Sequence, residues 1–333
     1  MRPIQLVTLD EIREAATNLA TIAVRTPLLP CPWSPGLWLK PESLQPVGAF
    51  KVRGAVNALA RLPEHARSAG VVTHSSGNHG RALAFAARRF GVPCVVVMPD
   101  VAPALKTAAV RALGAEVVLV PPAERESRVE KLAVERGLVV IPPYDHRDVI
   151  AGQGTVGLEI VADLPEVSCV LVPVGGGGLA SGVAAAVRAL RPDVRVIGVE
   201  PELAADAAES LAAGRLVTWP TELTYRTVAD GLRTNLSDLT LAHLRELLDG
   251  IVTVTEHEIL QTVGELARSA RIVAEPSGAV APAAWLYHRD ELRDRFGLAD
   301  SVGDPDDGPV VAVVSGGNID PAVLAELLSR DLG

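Results

Sequence analysis

Residues 167–187 run VSCVLVPVGGGGLASGVAAAV without one charged side chain. The stretch is long enough to cross a bilayer, but Pro173 and four consecutive glycines break its middle. A short apolar strand, a glycine turn and a helix fit it better. The same unit recurs on either side. β-Branched runs at 71–73, 93–98, 116–120 and 138–141 lead into amphipathic patterns at 80–90, 103–113, 127–136 and 149–163, and 195–199 leads into 204–213. Thr8 with Glu11 makes a capping box for a first helix reaching to about residue 23. A solvated turn, GDPDDG at 303–308, precedes a last apolar strand at 310–314, and a helix starts near Pro321. Apolar strands alternating with helices belong in parallel sheet covered on both faces. There are too many for one small sheet, so two α/β layers are expected.

The chain has 333 residues, of which 48% are hydrophobic and 21% charged. That supports a large core and excludes a disordered chain. Aromatics are only 3%, so the core must be aliphatic. A net charge of −9 argues against nucleic acid or an anionic membrane as the main partner, and any phosphate site must be built locally. Cys31, Cys94 and Cys169 have no metal-ligand spacing, and the last two sit in apolar runs as small core residues. The N-terminus MRPIQLVTLDEIREAA carries early charges and no apolar run, so no signal peptide is visible and a cytoplasmic protein is expected.

Lysine is rare: Lys40, Lys51, Lys106 and Lys131 are the four in the chain. Lys106 and Lys131 lie in charge-rich helical patterns and read as solvated. Lys51, in GAFKVRGA (48–55), is bracketed by small and apolar residues. A desolvated amine loses its proton more readily and becomes a carbonyl nucleophile; a lysine whose stem packs while its head reaches solvent reads the same way. THSSGNHG (73–80) follows a strand and opens a helix, where backbone N–H groups can converge on an anion; a well-capped turn is the plainer alternative. PVGGGGLA (173–180) offers a nest for one phosphate. It also fits a dinucleotide fingerprint, Gly175-x-Gly177-x-x-Ala180, with Glu200 about twenty residues on. SGGN (315–318) ends the last strand, either as a tight turn or as a hydroxyl presented to a ring nitrogen.

Together these elements sit at the ends of separate parallel strands, where open α/β sheets bind ligands. They suit pyridoxal phosphate: an amine for its aldehyde, a nest for its phosphate and a hydroxyl for its ring nitrogen. A dinucleotide enzyme would leave Lys51, Asn78 and Ser315 idle.

With those motifs the chain resembles the serine/threonine dehydratase and serine racemase family of fold-type II pyridoxal-phosphate enzymes. The resemblance also covers Lys40-Pro-Glu42-x-x-Gln45, IAGQGT (150–155), VEP (199–201) and AEPSGA around Glu275. It implies a tryptophan synthase β-like fold, two open and mostly parallel α/β domains with the cofactor in the cleft. Residues 1–69 and 146–333 would form the larger domain and 70–145 a smaller inserted one. Lys51 would be the Schiff-base lysine and take the α-proton. Phe50 would pack on the cofactor ring, Asn78 would bond its 3-hydroxyl, Gly175, Gly176, Gly177 and Gly178 its phosphate, and Ser315 its nitrogen. Ser75, Ser76, Gly77, Asn78 and His79 would bind the substrate carboxylate. Glu200, the Ala204 carbonyl and Asp206 match the spacing of a Mg²⁺ or Ca²⁺ site in metal-activated members. Acids near a helix start are the bland alternative.

Ser76 stands where racemase-like members carry a second acid/base, whereas Tyr144-Asp145 resembles the dehydratase branch. Ala49 departs from the serine many members carry before Phe-Lys. The implied reaction is β-elimination of L-serine or L-threonine to a 2-oxo acid and ammonia, by a homodimer. Serine racemase and threo-3-hydroxyaspartate dehydratase are the alternatives within the family, and a dinucleotide-binding Rossmann protein the one outside it.

Overall fold

The computed structural model describes residues 4–298 and 308–329 except Pro32, Ser76 and Pro103. Apart from Gly308, the GDPDDG turn lies outside the described residues. Within them the strands are β1 (Leu29–Pro30), β2 (Leu37–Pro41), β3 (Val71–His74), β4 (Cys94–Pro99), β5 (Glu116–Val120), β6 (Val139–Val140), β7 (Cys169–Pro173), β8 (Arg195–Pro201), β9 (Gly250–Val254) and β10 (Val310–Val314).

Two sheets result, as the alternating pattern requires. One has the order β1-β2-β10-β7-β8-β9 and the other β5-β4-β3-β6. Every pairing is parallel except β1 with β2. Both faces of each sheet are covered. Val71, Val96 and Met98 point into one core of the small sheet, and Val72, Val95 and Val97 into another. In the large sheet Leu171, Ile197 and Ala312 pack on one side, Val170, Val172 and Val311 on the other. All three cysteines are buried and free.

Strand order places the site. In the large sheet the chain runs from β7 to β8 and β9 in one direction, while β10 and β2 lie on the other side of β7. In the small sheet β3, β4 and β5 run one way and β6 flanks β3 from the other. Each sheet therefore has a switch point, β7/β10 and β3/β6, where neighbouring loops diverge and leave a crevice.

The capping box at Thr8 is present, but its helix ends at Leu19. Three strands escape the sequence reading. β1 is only two residues long. β2 carries a lysine and a proline, and β9 lies between acidic helical stretches. Between 213 and 310 the structure adds helices Thr221–Thr224, Asp238–Leu247, Glu256–Glu265, Pro276–Tyr287 and Arg289–Phe296. Among the described residues no helix is long and apolar enough to cross a membrane.

Candidate active site

Lys51 opens the helix Lys51–Arg61 behind the N-cap Phe50. Its first turn holds Lys51 and Arg53 and no acid, the reverse of what a helix dipole favours at its positive end. The Lys51 amine donates to the Pro143 carbonyl at 2.6 Å and stands 5.0 Å from the centre of the Phe50 ring. Burial alone lowers its pKa to about 8, since the ammonium gives up hydration that no carboxylate replaces. A neutral amine is thus accessible near neutral pH. The preceding residues are held against the end of β10: Ala49 bridges Gly316, and the Phe50 N–H donates to the Ser315 carbonyl at 3.0 Å. Ser315 is buried, and its hydroxyl donates to the Ser277 carbonyl at 3.2 Å.

Asn78 begins the helix Asn78–Phe90 after β3. Its amide nitrogen donates to Glu275 Oε1 at 2.6 Å, and its amide oxygen accepts from Asn318 at 2.7 Å. Arg81 in turn donates to the Asn318 oxygen at 2.6 Å. One amide hydrogen of Asn78 remains for a further acceptor. Burial, with the charge of Asp230 adding to it, raises Glu275 to about 7. In the same loop Gly77 N–H donates to the Ser75 hydroxyl at 3.2 Å, and a Cβ at Gly77 would meet open space. His79 behaves differently from its loop neighbours. Its ring is buried with Nε2 2.9 Å from the Ile141 carbonyl. Burial first, then the charge of Lys51, lowers its pKa to about 3. The site therefore receives the backbone of His79 and not its ring. Ser76 lies outside the described residues.

The glycine turn joins β7 to the helix Gly178–Leu190. Gly177 has φ +83°, which only glycine adopts without strain. A Cβ at Gly176 would lie 2.5 Å from the Tyr144 ring, and one at Gly175 2.8 Å from Leu232 Cα. The turn thus excludes side chains, and its buried N–H groups find no acceptor among the described residues. Such a cradle at a helix N-terminus fits a phosphate. With Lys51 and the spare hydrogen of Asn78, the donor set fits a phosphorylated aldehyde cofactor.

A third helix, Arg147–Asp163, spaces the lysine from the glycine turn. A Cβ on its Gly152 would stand 2.6 Å from the Arg53 carbonyl oxygen and 2.7 Å from Gly54 Cα. On its other face Gly182 of the helix Gly178–Leu190 abuts Gly154 N and the Ile150 carbonyl. Three helices therefore touch backbone to backbone, which explains the glycines of RGA, AGQG and LASG.

Glu200 and Asp206 come together as their spacing suggests. Glu200 is fully buried and accepts from Ala207 N–H at 3.1 Å and Ala208 N–H at 2.7 Å. Burial, with Asp206 adding repulsion, raises its pKa well above the usual range. Asp206 is raised to about 7, chiefly by burial, and its Oδ1 is buried without a hydrogen-bond partner. Two coupled carboxylates with an orphaned oxygen fit a hard cation. Among the described residues no three His, Cys, Asp or Glu side chains converge, so a cation there needs a carbonyl such as that of Ala204 and water. The same burial removes Glu200 from reach of a ribose, which the dinucleotide reading requires.

Sequence reasoning assigned no role to Glu275, Asn318, Arg81 or the Pro143 carbonyl. Glu275 carried a signal, as an isolated acid inside the otherwise uncharged run 272–287. The others acquire meaning from contacts between distant segments.

A family model described as "Pyridoxal-phosphate dependent enzyme" matches residues 19–316. The chain is 38% identical over 329 residues to the serine racemase of Oryza sativa subsp. indica, covering 97% of this chain and 94% of that one. It is 40% identical over 296 residues to the L-threo-3-hydroxyaspartate ammonia-lyase of Saccharomyces cerevisiae, covering 88% and 86%. The solved T.th. threonine deaminase superposes with a TM-score of 0.85 at 41% identity, over 94% of this chain and 99% of that one.

Proposed function

The chain belongs to the pyridoxal-phosphate dependent enzyme family, in its serine/threonine dehydratase and serine racemase group, and on that premise we propose that it catalyses β-elimination of L-serine or L-threonine. The substrate loses water across its α and β carbons and the product hydrolyses to a 2-oxo acid and ammonia. The observation that carries this reading is Lys51, a partly buried and desolvated amine without an acidic partner, tied to Ser315 through Phe50.

When bound, the cofactor supplies an aldehyde for the substrate amine and a conjugated ring that draws electrons from the α-carbon. Lys51 would hold it, with Asn78 at the 3-hydroxyl, Gly175–Gly178 at the phosphate, Ser315 at the ring nitrogen and Phe50 against the ring. Ser75, Ser76, Gly77 and the backbone at His79 would orient the substrate carboxylate. Lys51 Nζ, neutral in part near pH 8, takes the α-proton. A serine hydroxyl leaves the ring nitrogen largely unprotonated, which favours elimination over transamination.

A second reading is racemisation, supported by the serine at position 76, where racemase-like members of the family carry a second acid/base, and by the likeness to a serine racemase. The hydroxyaspartate ammonia-lyase likeness keeps threo-3-hydroxyaspartate among the substrates to assay. The same proposal includes a Mg²⁺ or Ca²⁺ ion at Glu200, Ala204 and Asp206, an inserted domain at 70–145, a homodimer and a cytoplasmic setting.

The test is turnover of L-serine, L-threonine, D-serine and threo-3-hydroxyaspartate, followed by 2-oxo acid formation and chiral analysis. Lys51→Ala should abolish every activity. Ser76→Ala should remove D-serine formation and spare elimination. Borohydride trapping that tags a residue other than Lys51 would overturn the assignment.

A further inference from the structure

The motif Lys40-Pro-Glu42-x-x-Gln45 has no place in the reaction above, yet the structure buries it beside the reactive lysine. Lys40, Glu42 and Arg53 are at most 1% exposed, and Glu159 is 9% exposed. Arg53 Nε and Nη2 donate to the two oxygens of Glu42 at 2.7 and 2.8 Å. Its Nη1 and Nη2 donate to the two oxygens of Glu159 at 2.7 and 2.8 Å. Lys40 Nζ completes the group with bonds to Glu159 Oε2 and the Thr26 carbonyl, both 2.6 Å. Gln45 donates to Glu42 at 3.1 Å. Two cations therefore meet two anions, and every charge is hydrogen-bonded.

Such a cluster is a poor device for stability alone. Its desolvation cost rivals its Coulombic gain, and apolar side chains would pack as well. What it provides is geometry. Arg53 lies two residues after Lys51, in the first turn of the same helix. Glu42 follows β2, and Glu159 belongs to the helix Arg147–Asp163, whose approach carries the Pro143 carbonyl that receives the Lys51 amine. The planar fork of Arg53 joins both carboxylates at once, which a lysine's point charge cannot do. The helix thus cannot rotate or slide along its axis without breaking four charged bonds.

We propose that Arg53 is a positioning residue: by clamping the first helical turn between Glu42 and Glu159, it aims the Lys51 amine at the place where the cofactor aldehyde arrives. The proposal rests on the reading of Lys51 as the capturing amine. Capture joins Nζ to the aldehyde carbon as a carbon–nitrogen double bond and releases water, so it depends on the direction of the amine. Binding of the ring and phosphate depends on the glycine turn, Asn78 and Ser315 instead.

The experiment separates these two dependences in the full-length protein. Pyridoxal 5′-phosphate capture is measured by visible absorbance and borohydride trapping. Affinity for pyridoxine 5′-phosphate, which has an alcohol in place of the aldehyde, is measured by calorimetry. Arg53→Lys should weaken capture about tenfold or more while changing pyridoxine phosphate affinity by less than about threefold. Ile160→Val, a mild loss of packing on the same helix as Glu159, should leave the ratio of the two affinities unchanged. If both affinities of Arg53→Lys fall in parallel, or neither changes, the positioning role is refuted. Should Arg53→Lys fail to fold, Glu42→Gln carries the same comparison, since it removes one anchor and keeps the side-chain shape. If the parent chain captures no pyridoxal phosphate, the reading of Lys51 fails. If the parent captures it and the variants match the parent, the clamp alone fails.

Discussion

The Phe50 N–H donates to the Ser315 carbonyl at 3.0 Å, tying the residue before Lys51 by one backbone hydrogen bond to the residue that bears the hydroxyl at the end of β10. Neither side chain makes this bond, so it survives replacement of either. Ser315→Ala should therefore leave Lys51 in place and remove the hydroxyl alone. Losing the bond to the Ser277 carbonyl costs about 1 kcal/mol, readable by urea denaturation. Cofactor capture should persist while turnover falls. Loss of capture would mean that the loop moved.

Lys51 has a pKa lowered to about 8 by burial, against 10.5 for an ordinary lysine. The nucleophile is the neutral amine, so the rate of pyridoxal phosphate capture should rise from pH 6.5 and level off about one unit above 8. Stopped-flow absorbance across that range checks it. A rate still climbing at pH 10 would place the amine in solvent.

Glu275 shows the opposite shift, to about 7 from 4.5, with burial as the main cause. Its folded form holds the proton more tightly than the unfolded chain. The stability it contributes is therefore fully present below about pH 4.5 and is lost as pH rises through about 7. Glu275→Gln still accepts from Asn78 but cannot ionise. Relative to the parent, that variant should gain about 1–3 kcal/mol between pH 5 and pH 8. Denaturant melts of cofactor-free protein at the two pH values measure this, and a pH-independent difference would contradict it.

Gly152→Ala drives a methyl group to within 2.6 Å of the Arg53 carbonyl oxygen and 2.7 Å of Gly54 Cα, both backbone atoms. The helix bearing Lys51 has to back away. Overpacking of this kind costs about 1–3 kcal/mol, and capture should weaken with it. Gly91→Ala is the control for a glycine change away from the site, because a Cβ there meets nothing within 4 Å, although its φ of +66° adds some strain of its own.

If a cation sits at Glu200 and Asp206, chelation should lower the melting temperature, and added Mg²⁺ or Ca²⁺ should restore it by mass action. Asp206→Asn should abolish that response. An unchanged melting temperature after chelation removes the ion from the proposal.

Much of the chemistry was legible along the chain because short-range rules govern it. A glycine run between an apolar strand and a helix reads as a close turn, whereas a lone lysine among small residues left a desolvated amine and a solvent-reaching head both open until the fold decided between them. Glu275 and Asn318 were visible as motif letters without a role, since their meaning lies in bonds to Asn78, which stands 197 and 240 residues away from them. Lys40 even misled, since a charge within an apolar run hid β2. The Thr26 carbonyl and, more than a hundred residues on, the carboxylate of Glu159 make that lysine tolerable inside the protein.

Local sequence thus determined the class of fold and the glycine turn and singled out Lys51 as the candidate amine, because capping, periodicity and backbone freedom act over a few residues. Tertiary structure decided their meeting. Burial of both sheet faces put β10 between β2 and β7 and β6 beside β3. The segments following β3, β6, β7 and β10 thereby converge at two switch points, an arrangement set by packing between strands far apart in the chain.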